Sequence, residues 1–94
     1  MEPHEQQLLS ELMNKRLYVN QGSYRKNHQV AEDVTQVDIL SQDMNFLTIS
    51  PVGDRLSGTV ISMSTLNIKN ARGSITISGE DSLKNEVMVE FQLV

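Results

Sequence analysis

The last residues of the chain alternate between apolar and polar side chains, and this alternation constrains the fold more than any other feature of the sequence. Val87, Val89, Phe91 and Leu93 are separated by methionine, glutamate and glutamine. Successive side chains of a β-strand point to opposite faces, so a period of two is typical of a strand that buries one face. The sequence therefore predicts a strand here, at the end of a β-rich region that covers residues 45–94.

The same period occurs twice more in this region, and turn residues separate the runs. Leu47 and Ile49 alternate with polar residues, as do Ile75 and Ile77. Glycine, proline, asparagine and aspartate favour turns because of their backbone preferences. Short strands broken in this way are typical of an antiparallel meander. The turn residues cluster at 51–54, 70–73 and 79–82.

Residues 4–17 predict an amphipathic helix. Pro3 suits the first turn of a helix, because a proline there loses no hydrogen bond. Five apolar residues then fall on one stripe of a 3.6-residue period. A stripe of this kind docks either on the domain's own sheet or on another protein, and the sequence leaves both possibilities open. The five residues are Leu8, Leu9, Leu12, Met13 and Leu17.

The pattern is weaker between this helix and the β-rich region. Residues 18–29 are polar and have no period, which favours a loop. Residues 30–44 fit either a helix or a strand. Several valines and a leucine form a helical stripe, whereas Val37 and Ile39 alternate as they would in a strand. We slightly favour a short helix over residues 33–43.

Together these patterns predict one α+β domain covering residues 1–94. An N-terminal amphipathic helix, and optionally a second short helix, packs on four or five strands. The strands are mainly antiparallel and form a meander or a small open barrel. Aromatic residues are 4% of the chain, so the core is expected to consist of leucine, valine and isoleucine with methionine as filler.

Composition and spacing argue against several kinds of chemistry. The chain has no cysteine, which excludes disulfides, cysteine-bound zinc and thiol catalysis. His4 and His28 are the two histidines, and neither has a second ligand at zinc-binding spacing. No phosphate-binding glycine motif and no serine nucleophile elbow occurs. We therefore predict a protein that is not an enzyme and has no catalytic residue, metal or cofactor.

The expected location is the cytoplasm. The first 30 residues lack a basic segment followed by an apolar one, so no secretory signal is predicted. No apolar run approaches the roughly 20 residues that a membrane-spanning helix needs. The net charge of −4 makes nucleic acid an improbable partner, because affinity for phosphate backbones comes from cations.

The leading functional prediction is a non-catalytic protein–protein interaction module, such as an adaptor, an assembly component, or a protein of the inhibitor or immunity type. Self-association as a homo-oligomer, with a dimer as the simplest case, is part of this prediction. An amphipathic helix and a terminal strand are common docking elements. The predicted contact residues are Leu8, Leu12, Met13, Val87, Val89 and Phe91.

An alternative function is binding to RNA or another single strand. Residues 18–29 combine cations and aromatic rings, which can contact phosphates and stack on bases. The corresponding residues are Tyr18, Tyr24, Arg25, Lys26 and His28. A second alternative is a small-ligand site inside a curved sheet.

A sequence resemblance also supports the RNA-binding alternative. Residues 52–62 read Val-Gly-Asp-Arg-Leu-Ser-Gly-Thr-Val-Ile-Ser, and residues 66–68 read Leu-Asn-Ile. With the preceding helix, this stretch resembles the first half of an Sm-like fold, including its Gly-x-x-x-x-Gly spacing. The resemblance implies a small RNA-binding barrel in which Asn67 and Arg72 contact RNA. Ser64 stands near the position where that family has aspartate.

Overall fold

The computed structural model describes residues 2–54 and 57–94, and within these ranges it contains one helix followed by nine strands. The α+β class, with an N-terminal helix on mainly antiparallel strands, is confirmed. In the described part of the chain there is no second α-helix. The elements are α1 (Pro3–Leu12), β1 (Lys15–Tyr18), β2 (Arg25–Lys26), β3 (Gln29–Val30), β4 (Gln36–Gln42), β5 (Phe46–Pro51), β6 (Thr59–Ser62), β7 (Asn67–Ala71), β8 (Ser74–Glu80) and β9 (Glu86–Gln92).

The strands divide between two antiparallel sheets. The first sheet has the order β1-β4-β5-β6, and the second has the order β3-β2-β9-β8-β7. An isolated bridge between Val19 and Leu93 joins the sheets at one end. Beside it the amide of Asn20 donates a hydrogen bond of 2.8 Å to the carbonyl oxygen of Gln92. The sheets are linked in this way but do not close into a barrel.

The core lies between the inner faces of the two sheets, with α1 packed against it at β7. In β9 the inward residues are Val87, Val89 and Phe91, so the alternation predicted for this strand is confirmed. Fully burying one such side chain stabilises the fold by about 1.5–3 kcal/mol. The first sheet and the second sheet supply most of the other core residues, which include Val37, Ile39, Leu47, Ile49, Ile61, Ile68, Ile75 and Ile77.

The helix ends earlier than the sequence predicted, at Leu12 instead of residue 17. The backbone leaves the helical path at Met13, which is extended, and Asn14, with a left-handed φ of 62°, then turns the chain into β1. Leu17 therefore reaches the core from a strand, paired with Val37 of β4. A leucine nine residues after Leu8 fits both arrangements, so the stripe alone could not locate the helix end.

The preference for a helix over residues 33–43 was wrong, because this segment contains strand β4. It pairs with β1 on one side and with β5 on the other. Val37 and Ile39 are fully buried on its inner face. Pairing on both sides together with β-branched residues outweighs the helical spacing of the neighbouring valines and leucines.

Residues 18–29 are more ordered than the predicted loop. They contain β2, and they include Tyr24, which is completely buried. Asn27 and His28 form a two-residue turn with φ of 51° and 71°, which is the backbone expected of a tight hairpin. Part of the stretch that resembles the Sm-like fold, Arg55 and Leu56, lies outside the described residues.

No helix in the two described ranges combines the length and the hydrophobicity needed to cross a lipid bilayer. The helix α1 has ten residues.

Candidate interaction surface

The six residues predicted to contact a partner all belong to the core of this chain. Leu12, Val87, Val89 and Phe91 are buried, and Leu8 and Met13 pack against them while partly buried. Strand β9 is also not a free edge, because β2 and β8 flank it. The predicted helix stripe and the predicted terminal strand therefore both contribute to the core of this chain. A partner of the folded protein has to contact other residues.

The helix instead protects an edge of the second sheet. It packs beside β7, the edge strand, where a carboxylate oxygen of Glu5 lies 3.5 Å from the backbone nitrogen of Ile68. An unpaired backbone edge favours unwanted pairing with other chains, and covering it with a helix is a common remedy.

The structure separates the residues predicted to bind nucleic acid. Tyr24 is buried, stacks on Phe91 with ring centroids 6.3 Å apart, and donates a 2.7 Å hydrogen bond to the carbonyl oxygen of Ser57. Burial raises the pKa of its hydroxyl well above the usual range. The ammonium group of Lys26 donates a 2.9 Å hydrogen bond to the carbonyl oxygen of Gly58. These two side chains thus connect the sheets.

The other residues of this set lie apart from one another. Tyr18 is 64% exposed on the outer side of the first sheet. Arg25 is exposed on the second sheet, and Arg72 is exposed in the turn between β7 and β8. Only His28 and Asn67 share a site, a groove on the second sheet.

That groove has a volume of about 570 Å³, and its lining is polar and apolar in similar measure. Ser78 and Asn67 are cross-strand partners in its floor, and Glu80 and Glu86 face each other across β8 and β9. The groove is open enough for a small polar molecule, so the small-ligand alternative stays a prediction. A separate exposed group, Glu2, His4 and Glu5, places three possible metal ligands within 4.8 Å of one another.

The outward side of the first sheet has a different character, and we call it the first-sheet face. It is formed by the side chains of β1, β4, β5 and β6 that point away from the core. Among the side chains that point outward from these strands, the charged ones are an arginine and an aspartate, and several others are apolar. The first-sheet face consists of Arg16, Tyr18, Gln36, Asp38, Leu40, Gln42, Phe46, Thr48, Ser50, Val60 and Ser62.

An apolar row crosses the middle of this face. Leu40, Thr48 and Val60 are direct cross-strand neighbours on β4, β5 and β6. Leu40 is 45% exposed. The hydroxyl oxygen of Thr48 is withdrawn from solvent and has no hydrogen-bond partner among the described residues. The side chains around it therefore pack closely enough to exclude water.

The next row extends the apolar region to one end of the sheet. Phe46 lies between Gln42 and Ser62, which are its cross-strand partners. Beyond it, Met44 at the tip of the β4–β5 hairpin is 89% exposed. A shallow cavity of about 520 Å³ lies beside Met44, Phe46 and Met63. Methionine and aromatic side chains are adaptable contact residues at protein interfaces.

The charges of the first-sheet face neutralise each other. Arg16 and Asp38 form a two-pronged ion pair, with Nε–Oδ1 and Nη2–Oδ2 distances of 2.8 and 3.0 Å. The hydrogen bond from Arg16 holds the pKa of Asp38 below its ordinary value. Lys26 and Asp81, one charge of each sign, border the face beyond β6. A partner meets no net charge on these strands.

The ion pair predicts a pH-dependent contribution to stability. Since the pKa of Asp38 is lowered from 3.8, its carboxylate stabilises the folded protein above that pH. The contribution is lost as the pH falls through the lowered folded-state value. Asp38→Asn should reduce the midpoint of urea unfolding at neutral pH, and the difference from wild type should shrink as the pH falls below 3.8.

The control for this prediction is Asp43→Asn, which removes the same charge from an exposed position in the neighbouring hairpin, outside the ion pair. It should change the midpoint less than Asp38→Asn. A midpoint difference for Asp38→Asn that persists unchanged in acid would contradict the prediction.

Comparison of the chain with models of known protein families, with curated protein sequences and with solved structures finds no match.

Sequence reasoning missed the first-sheet face. Leu40 had been placed on a possible helical stripe, and Phe46 preceded the alternating pair Leu47 and Ile49. The sequence does contain a signal for this face, because two strands have apolar residues at adjacent positions and so on both of their faces. These pairs are Phe46 with Leu47, and Val60 with Ile61. A strand with one wet face is expected to be polar at every second position. Apolar residues at these positions indicate a second surface that can pack.

Proposed function

We propose that the chain is a non-catalytic protein-interaction module that docks through the first-sheet face. The observation that carries the proposal is the apolar row of Leu40 and Val60 around Thr48, with Phe46 beside it. This row lies on an outer face where a lone antiparallel sheet would carry polar residues. A neutral apolar centre with a polar rim is the usual composition of a protein interface.

The second sheet supports this assignment by contrast. On its outward side Arg25 is opposite Glu90, and Lys69 lies two strands away in the same row. Among the described outward residues of that sheet, the large apolar ones are Met88 on β9 and Val30 on the two-residue edge strand β3. Charges dispersed in this way keep a sheet face hydrated. The two outward faces of one small domain thus differ in the property that distinguishes an interface centre from an ordinary surface.

The partner that fits is a protein surface with an apolar, uncharged centre and hydrogen-bonding groups around it. The amides of Gln36 and Gln42 and the hydroxyls of Ser50 and Ser62 surround the row and can pair with such groups. Adaptors, assembly components and inhibitors all use surfaces of this kind. The expected cytoplasmic location stays a prediction.

A matched pair of variants tests the proposal. Leu40→Lys places a charge in the apolar row, and Met88→Lys places the same charge on the outward side of the second sheet. The tagged wild-type and variant proteins would be cross-linked in an extract of the source cells. We expect at least one protein that wild type and Met88→Lys capture and that Leu40→Lys loses.

Both variants alter partly exposed positions, and circular dichroism with thermal unfolding checks that each is folded. The wild-type chain itself counts as a captured protein if it is cross-linked to the tagged copy. If capture is equal for the two variants, or if no protein depends on Leu40, the first-sheet face is not the docking surface.

A further inference from the structure

We infer that the partner of the first-sheet face is a second copy of this chain, packed face to face about a two-fold axis. The inference rests on the proposed function, since it names the occupant of the same surface. Three features of the face support it: its neutrality, the order of its rows, and its area.

The neutrality of the first-sheet face matters because each copy carries a net charge of −4. Two such molecules repel each other unless they meet where the local charge is balanced. Arg16 and Asp38 cancel each other on the first-sheet face. The outward side of the second sheet instead carries Glu80, Glu86 and Glu90 against Arg25 and Lys69, which leaves one negative charge in excess. Of the two outward faces, the first-sheet face therefore allows the closer approach of two copies.

The rows of the face are compatible with a two-fold axis through its centre. The Leu40–Thr48–Val60 row lies in the middle, the Arg16–Asp38–Ser50 row on one side, and the Gln42–Phe46–Ser62 row on the other. A two-fold axis that lies between the two faces and runs along this middle row places the middle rows of the two copies together. It also places the Phe46 row of each copy over the Arg16 row of the other.

This arrangement pairs unlike groups at the flanks. Each strand then lies over the same strand of the other copy, so Gln42 of β4 faces Asp38, and Phe46 of β5 faces Ser50. The amide of Gln42 can donate a hydrogen bond to the carboxylate of Asp38. No like charges oppose each other in this register, since the Phe46 row carries no charge.

The area of the first-sheet face limits the expected affinity of the dimer. Four strands at about 4.8 Å spacing and six residues at about 3.4 Å give a projected face of roughly 390 Å² per copy. The accessible area of a corrugated surface exceeds its projection, so the two copies together bury on the order of 1,000 Å². This is the low end of specific interfaces, and we expect a reversible dimer with a dissociation constant in the micromolar range or above.

Sedimentation equilibrium of the full chain from about 10 µM to about 1 mM tests the inference. We expect the wild type to shift from monomer toward dimer over this range. Leu40→Lys should weaken the dimer at least tenfold, and Met88→Lys should not. Either change raises the net charge from −4 to −3, because one positive charge is added. Weaker association of Leu40→Lys alone therefore cannot come from stronger overall repulsion.

Exchanging the charges of Arg16 and Asp38 provides a second test of the inference. Arg16→Asp leaves two acidic groups on each face and should weaken the dimer. The double variant Arg16→Asp with Asp38→Arg restores neutrality and should recover association. Concentration-dependent NMR shifts should map to β4, β5 and β6. Shifts confined to β7 or to the groove of the second sheet would overturn the inference, as would no recovery in the folded double variant.

The two proposals fail in different ways. A chain that stays monomeric at about 1 mM overturns the second-copy inference. If that monomer still captures another protein in a Leu40-dependent manner, the proposed function stands with a different partner. If it neither dimerises nor shows Leu40-dependent capture, both proposals are wrong.

Discussion

Truncating Phe91 to alanine should destabilise the folded protein by about 3–5 kcal/mol, a large part of the total stability of a domain of this size. Phe91 is buried in the central strand β9 and stacks on Tyr24 with an interplanar angle of 10°. Its loss leaves a cavity between the sheets and removes the support of Tyr24, whose hydroxyl binds Ser57 on the other side. Urea unfolding followed by circular dichroism measures the effect.

The control is Tyr18→Ala, which removes another aromatic ring from a position that is 64% exposed. It should cost less than about 1 kcal/mol of folding stability, because little apolar area is buried there. If Phe91→Ala and Tyr18→Ala destabilise the protein equally, the placement of β9 at the centre of the second sheet is wrong.

Replacing Gly79 by alanine should destabilise the protein by about 1–3 kcal/mol, and valine should cost more. A Cβ atom added to Gly79 would lie 2.6 Å from Cγ2 of Ile61 and 3.1 Å from the carbonyl oxygen of Thr65. Ile61 is fully buried, so it cannot swing away. Thr65 is held as well, because its hydroxyl accepts a 2.9 Å hydrogen bond from the amide of Glu80.

A double-mutant cycle with Ile61→Ala identifies the cause. This change removes the Cγ2 atom, so Gly79→Ala should cost less in the Ile61→Ala background than in the wild type. Ser78→Ala, one residue earlier on the outward side of the same strand, should have little effect on the unfolding midpoint. Equal costs of Gly79→Ala in both backgrounds would show that close contact with Ile61 is not the reason for a glycine here.

The strands with apolar residues at every second position were predictable from the sequence, and there is a physical reason for this. In β8 and β9 the residues Ile75, Ile77, Val87, Val89 and Phe91 face a single core, so burial imposes the period of two directly. The fold class follows from these runs and from the helical stripe that precedes them.

The division into two sheets could not be predicted in the same way. It depends on which strands pair, and β2 pairs with β9 across a long sequence separation. Strand β2 has two residues, Arg25 and Lys26, and no apolar alternation marks it. Its position comes from tertiary contacts: Tyr24 packs on Phe91, and the side chain of Asn27 accepts a hydrogen bond from the amide of Met88.

The candidate site was unpredictable for a related reason. The sequence predicts the most apolar periodic residues as contact residues, yet those same properties place Leu12 and Val89 in the core. In a small domain the strongest apolar pattern is used for its own burial. A docking surface has to come from the apolar residues that are left, and Leu40 and Phe46 have no period that sets them apart.

The central place of β9 in the second sheet has a consequence for how the chain folds. In the first sheet β4, β5 and β6 pair with neighbours in sequence, so they can assemble as soon as they are synthesised. The β2–β3 hairpin has to wait for β9, and the contact between Asn27 and Met88 closes a loop of 61 residues. Loops of that length are slow to close. During synthesis the first sheet is therefore expected to form early, while its inner face stays uncovered until the last strand arrives.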